Sequence, residues 1–296
     1  MIIKNGNVFQ EDGSFRKETL YIRNHRLTEA FEATAEEEVI DAEGLMVIPG
    51  LVDIHSHGAY GEDFSDGDPE GLKKILRYER QSGITSYCPT SMTLPKEQLK
   101  KIFKGIREAE KSGDGATVAG INMEGPFISP VKKGAQDERN IMPCDTEICQ
   151  RFIDASERLV KFVGLAPEES DEAVAFVKAM KDKVSISLAH TNADYAHAKA
   201  AFDAGANHAV HLFNAMPAFT HREPGVVGAV SDSEHVMAEI ICDGIHIHPA
   251  TIRATFRMMG ADRMILISDS MRAAGMPDGQ YTLGGLDVKV RGNHAT

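Results

Sequence analysis

The sequence predicts a closed parallel (β/α)8 barrel of the TIM type, on three observations. From residue 50 onward, short apolar segments alternate with helical patterns in the rhythm strand, loop, helix. Most of these segments are continuous apolar runs, as expected for parallel strands covered on both faces. Six residues able to ligate a metal, His55, His57, Glu124, His190, His211 and Asp269, fall at predicted strand ends. Side chains so far apart in the chain can meet only where the fold delivers strand ends to one face, as a parallel barrel does.

The predicted strands cover residues 51–55, 84–89, 117–123, 160–166, 185–190, 207–212, 236–242 and 263–268. Helical patterns occupy 69–81, 95–111, 146–156, 170–180, 193–204 and 249–259. Asp68 and Asn192 suit N-caps, and Pro69, Pro95 and Pro249 suit first helical turns. An open doubly wound sheet is the alternative, but no Gly-rich turn follows the first strand. Residues 1–48 read differently, as short alternating segments between Gly, Asn and Asp turns. That pattern predicts a small antiparallel sheet, a β-sandwich portion, beside a barrel over residues 49–296. After the eighth strand, SDSMRAAGMPDGQ leads into a hairpin-like YTLGGLDVKVRGN, and no eighth helix pattern precedes Thr296. The barrel is therefore expected to lack its last helix and the sandwich its C-terminal completion, which would expose apolar surface on strands one and eight.

A net charge of −12 argues against a nucleic-acid partner, and any anionic substrate would need a local basic pocket. No apolar run approaches the ~20 residues that span a bilayer, so no membrane partner is expected. The start, MIIKNGNVFQ, lacks signal-peptide architecture. Cysteines 88, 144, 149 and 242 form no CxxC pair, which suits reduced thiols and a cytoplasmic location.

His55 and His57 form an HxH in LVDIHSHG. Residues two apart on a strand point the same way, so both imidazoles can face one ion. One such histidine would read as structural; two before a glycine read as ligands. Glu124 follows the third strand in INMEGPF, where Gly125 and Pro126 disfavour a helix cap and leave metal ligation or bridging. His190 and His211 would each alone read as a core histidine, but at like ends of neighbouring strands they read as ligands. His208 faces away from His211 and reads as structural. Asp269 closes strand eight as an acid suited to take a proton from metal-activated water, with turn capping second. Imidazole and carboxylate suit one or two divalent ions such as zinc, iron, nickel or cobalt. His246, in CDGIHIHP, suits polarising a carbonyl or binding a hydroxyl; Asp243 reads as orienting the loop and His248 as helix start. Arg222, in the FTHREPG loop, is the anion-binding candidate, against the plain reading of a solvated arginine. No Walker-type or GxGxxG loop supports nucleotide chemistry.

In PGLVDIHSHG, MEGPFISPVKKGAQ, AHTNA, HLFNAMP, REPG, CDGIHIHP and SDSMRAAG the chain resembles the N-acetylglucosamine-6-phosphate deacetylase family of the amidohydrolase superfamily. The HLFNAMP, REPG and DGIH strings are specific to that family, whereas HxH is shared more widely. The resemblance implies a deformed barrel of the amidohydrolase type with a sandwich built from both chain ends. It implies metal ligands at Glu124, His190 and His211, a second ion at His55 and His57, and a catalytic acid/base at Asp269. It further implies sugar-phosphate contacts from Asn214, Ala215, Arg222 and His246, the arginine reaching across a homodimer interface. Gln136 stands where some members carry His and is counted with these contacts. The reaction implied is metal-dependent hydrolysis of the N-acetyl group of N-acetylglucosamine 6-phosphate to glucosamine 6-phosphate and acetate, in amino-sugar catabolism. The alternatives are another amidohydrolase, an aminoacylase or cyclic amidase, and a non-catalytic form that holds metal or sugar phosphate.

Overall fold

The computed structural model describes residues 1–110 and 113–296, which form two compact units, Met1–Leu51 and Val52–Thr296. The first unit is one sheet of β1 (Ile2–Phe9), β2 (Phe15–Arg23), β3 (Arg26–Thr28), β4 (Val39–Asp41) and β5 (Met46–Val47). Strands β1, β2 and β3 run antiparallel, with Asn24 and His25 both left-handed in the tight β2–β3 turn. Strands β4 and β5 pair with β1 in parallel. The sheet is therefore mixed and not antiparallel as expected, because period-two alternation is identical for either strand direction.

Beyond its first residue, Leu51, β6 (Leu51–Ser56) lies in the second unit and leads to a ribbon of β7 (Gly58–Ala59) and β8 (Glu62–Asp63), then to α1 (Pro69–Gln81) and β9 (Ile84–Ser91). There follow α2 (Lys96–Glu110), β10 (Thr117–Val118), β11 (Ile121–Phe127), α3 (Thr146–Ala155), β12 (Val160–Leu165), α4 (Ala173–Met180) and β13 (Ser185–Leu188). The rest is α5 (Tyr195–Ala204), β14 (His208–Ala209), α6 (Gly225–Ser231), β15 (Met237–Ile241), α7 (Pro249–Met259) and β16 (Met264–Ile267). Strands β6, β9 and β11 to β16 are the eight barrel strands, hydrogen-bonded in sequence order from β6 to β16. At the remaining seam, Asp269 N–H donates to the His55 carbonyl at 2.9 Å and His57 N–H to Ser270 at 2.8 Å. Asp53 bridges the same seam, accepting His55 N–H and, at 3.2 Å, Ser268 N–H. The barrel is nearly closed, with a core of Ile75, Phe103, Phe152, Phe176 and Phe202 between strands and helices.

Several local expectations shift. The predicted strand 117–123 is interrupted between β10 and β11, so Glu124 lies within a strand and not after it. Asp68 caps α1 as expected, but α5 is capped by Asp194, which accepts His197 N–H at 2.9 Å, while Asn192 N–H bonds Glu168 instead. Helix α2 starts just past Pro95, and the predicted end at Lys111 lies outside the described residues. Helix α6 was not expected: two glycines and three valines in GVVGAVS are poor helix formers. Burial of six of its seven residues overrides that propensity. Among the described residues no helix follows β16. Strands β17 (Gly279–Leu283), β18 (Leu286–Arg291) and β19 (His294–Ala295) form an antiparallel sheet there, and Val52 and Leu266 are exposed. No described helix is long and apolar enough to cross a membrane.

Candidate active site

Six side chains converge at the C-terminal rim of the barrel. Glu124, on β11, is the centre: its Oε1 lies 3.0 Å from Nε2 of both His190 and His211 and 3.3 Å from Nε2 of His55. Its Oε2 lies 3.4 Å from His57 Nε2. Asp269 Oδ1 sits 3.5 Å from His55 Nε2 and 3.4 Å from His57 Nε2. Two overlapping sets, His55–Glu124–His211 and His55–His57–Asp269, each offer ligand atoms within 4.8 Å of one another.

Every imidazole is held by its outer nitrogen. His57 Nδ1 donates to the Thr90 carbonyl at 3.1 Å, His190 Nδ1 to Lys132 at 2.8 Å and His211 Nδ1 to Asn214 at 3.1 Å. His55 Nδ1 is 2.8 Å from Glu239 Oε2. A carbonyl can only accept, so these rings carry their Nδ1 proton outward and turn Nε2 inward, the arrangement of metal-ligating histidines.

The backbone makes the aim possible. His190, His211 and Asp269, just beyond β13, β14 and β16, have φ of +43°, +27° and +48°. Non-glycine residues rarely adopt this left-handed region, at a cost of about 1–3 kcal/mol each, and such positions cluster at functional sites. Gly134, also left-handed, brings backbone against the His190 ring; a Cβ there would stand 3.3 Å from Cε1.

Charge completes the picture. Burial alone would lower the His57 imidazole, but hydrogen bonds to Asp269 and Glu124 hold it up at about 10. Burial would raise Glu124, yet the His190 and His55 imidazoles keep it well below the usual carboxylate range. Asp269 is likewise held down, against burial, by His55 and His57. Glu239 is held at about 2, against burial, by His55 and His208. The fully buried Nε2 of His55 has no hydrogen bond, and the inward Nε2 atoms of His190 and His211 lie 3.2 Å apart. Converging lone pairs beside two carboxylates fit a divalent cation, which would displace the protons these groups otherwise hold.

Of the remaining predicted residues, Gln136 and the Asn214–Ala215 turn adjoin this centre, and Arg222 and His246 lie on the loops after β14 and β15. Gln136 is buried, with Nε2 donating to Glu124 Oε2 at 2.5 Å and Oε1 accepting Thr93 N–H at 2.6 Å. Asn214 and Ala215 form the turn after His211, where the Ala215 carbonyl accepts Thr191 N–H. His246 is exposed, with Nδ1 2.7 Å from Asp243 Oδ2, so Asp243 orients it; His248 caps α7. Arg222 is exposed and has no acidic partner among the described residues. A neighbouring cleft of about 520 Å³ holds Arg139 and Arg272. Both are paired, with Asp137 and with Asp66, whereas Arg222 has no such partner among the described residues.

The amidohydrolase family pattern matches residues 46–280. The chain belongs to the amidohydrolase family. It is 38% identical to the N-acetylglucosamine-6-phosphate deacetylase of Bacillus subtilis (strain 168), over 99% of this chain and 73% of that protein. It is 35% identical to the N-acetylgalactosamine-6-phosphate deacetylase of Escherichia coli O157:H7, over 86% of this chain and 67% of that protein. The solved N-acetyl-D-glucosamine-6-phosphate deacetylase of Mycobacterium smegmatis, an aspartate-to-alanine mutant in complex with N-acetyl-D-glucosamine-6-phosphate, superposes with a TM-score of 0.90. That match has 32% identity and covers 100% of this chain and 77% of the other. In this amidohydrolase the sequence led to all six converging side chains but missed Glu239, whose one signal was a lone acid in the apolar run VMAEIIC.

Proposed function

We propose that this amidohydrolase cleaves the N-acetyl group of N-acetylglucosamine 6-phosphate, giving glucosamine 6-phosphate and acetate. The observation that carries this is the convergence of four Nε2 atoms on Glu124 beside Asp269. The names and identities of its relatives support the substrate.

Glu124, His190 and His211 would hold one divalent ion, and His55 and His57 a second, which would supply Lewis acidity beside Asp269. Asp269 is the one carboxylate of the cluster with appreciable exposure, 19% of its side chain, and so faces the substrate side. It takes the proton of the attacking water and returns it to the departing amine, so that water is consumed and acetate and amine are formed. Asp243 occupies His246 Nδ1, which leaves the opposite nitrogen to meet a sugar hydroxyl. Gln136, engaged at both ends, positions Glu124. Asn214 and Ala215 supply the turn that borders the sugar. Arg222 meets the phosphate, and its exposure suits a homodimer in which it reaches the partner's site. The four free cysteines agree with a cytoplasmic enzyme.

Asp269→Asn tests the assignment. The variant should still bind metal and lose about 10²–10⁴-fold in acetate release. Near-parental turnover would remove Asp269 from the mechanism. N-acetylgalactosamine 6-phosphate is the comparison substrate, because a 35% identical relative bears that name.

A further inference from the structure

We propose that Glu239, steered by His208, is a positioning residue that makes the His55–His57 half of the centre a tight ion site. This rests on the metal-dependent reading above and concerns how the two halves differ.

Three of the four imidazoles rest their outer nitrogen on a neutral carbonyl, and His55 alone rests on a carboxylate. Glu239 is fully buried on β15 and accepts three N–H groups. Its Oε2 takes His55 Nδ1 at 2.8 Å and the His211 backbone N–H at 3.2 Å. Its Oε1 takes His208 Nε2 at 2.8 Å. His208, buried on β14, is in turn braced by the Phe162 ring, with centroids 5.3 Å apart. The carboxylate is thus clamped by β14 and by the turn after it, and it can face His55 in one geometry. A full negative charge behind a ligand imidazole strengthens the opposite nitrogen as a donor and offsets the charge a cation brings into a buried site. A carbonyl supplies only part of that. His55 belongs with His57 and Asp269 to the set that would hold the second ion, so its donor strength bears on that ion.

The test is ion stoichiometry and affinity in the purified chain, read by zinc or cobalt competition with a chromophoric chelator, together with a thermal melt. Two ions per parental chain are expected. Glu239→Gln keeps shape but removes charge, and it should weaken one ion by about 10–100-fold while sparing the other. His208→Phe, which leaves Oε1 without a donor, should weaken the same ion, and His208→Gln, which keeps an N–H, should not. A merely structural role would lower the melting temperature of Glu239→Gln and leave both affinities at parental values; that result overturns the proposal. A parental chain holding a single ion overturns it too. A parental chain binding no ion would instead overturn the metal reading beneath it.

Discussion

Single residues carry this site by what stands behind them. His55, His57, His190 and His211 could be found as histidines near strand ends, but their common aim depends on acceptors that no pattern announces: the carbonyls of Thr90, Lys132 and Asn214, and Glu239. Another buried acid, Glu79 on α1, gives a pH prediction away from the site. Its Oε1 has no hydrogen-bond partner, and burial, helped by the Asp53 charge, raises the carboxyl to about 8. Over the window from about 4.5 to about 8 the unfolded chain has shed this proton while the folded one keeps it. Folding stability must therefore fall as pH rises through that window, by at most about 1.4 kcal/mol per pH unit. Glu79→Gln removes this loss, so denaturant unfolding should show the variant gaining on the parent between pH 5 and pH 8.5. A pH-independent difference would contradict the assignment. That Glu79 lacks a partner at Oε1 while Asp53 and Glu239 have theirs depended on packing that only the fold displays.

Among the elements, strands were legible because continuous apolar runs survive in any surroundings, whereas ends and connections were not. The left-handed residues beyond β13, β14 and β16 go against local propensity where their side chains turn into the cluster. The loop between β14 and α6 carries Arg222, which the sequence marked as the anion-binding candidate against the plain reading of a solvated arginine. Its proposed phosphate role is supported by a contrast: Arg139 and Arg272 have carboxylate partners, and Arg222 has none among the described residues. Arg222→Ala should cost roughly 10–150-fold in kcat/KM for the phosphorylated sugar, the worth of about 1.5–3 kcal/mol for a hydrogen bond to a charged group. It should leave metal content and the slow reaction with unphosphorylated N-acetylglucosamine unchanged. Equal losses on both sugars would show that the arginine does not read the phosphate.

At the scale of the molecule, the parallel barrel explains why six side chains strewn from residue 55 to residue 269 converge at one centre. That logic is visible in sequence because the barrel repeats one unit, and each repeat ends at the same rim. Whether β4 and β5 pair in parallel was not visible, since alternation carries no direction. A centre built from strands that include both edges of the barrel seam should also tie the seam together. An ion at 100 times its dissociation constant adds about 2.7 kcal/mol, so exhaustive chelation should lower the melting temperature by roughly 5–10 °C, with recovery on adding zinc or cobalt. An unchanged melt would mean that the cluster holds no ion in the folded chain.

The most direct test of the central claim is acetate release by the metal-reconstituted chain from N-acetylglucosamine 6-phosphate, with elemental analysis of the same sample. Stoichiometric acetate and glucosamine 6-phosphate, abolished by chelation and restored by metal, are the predicted result. A metal-loaded, folded protein that releases no acetate from this substrate would contradict the account.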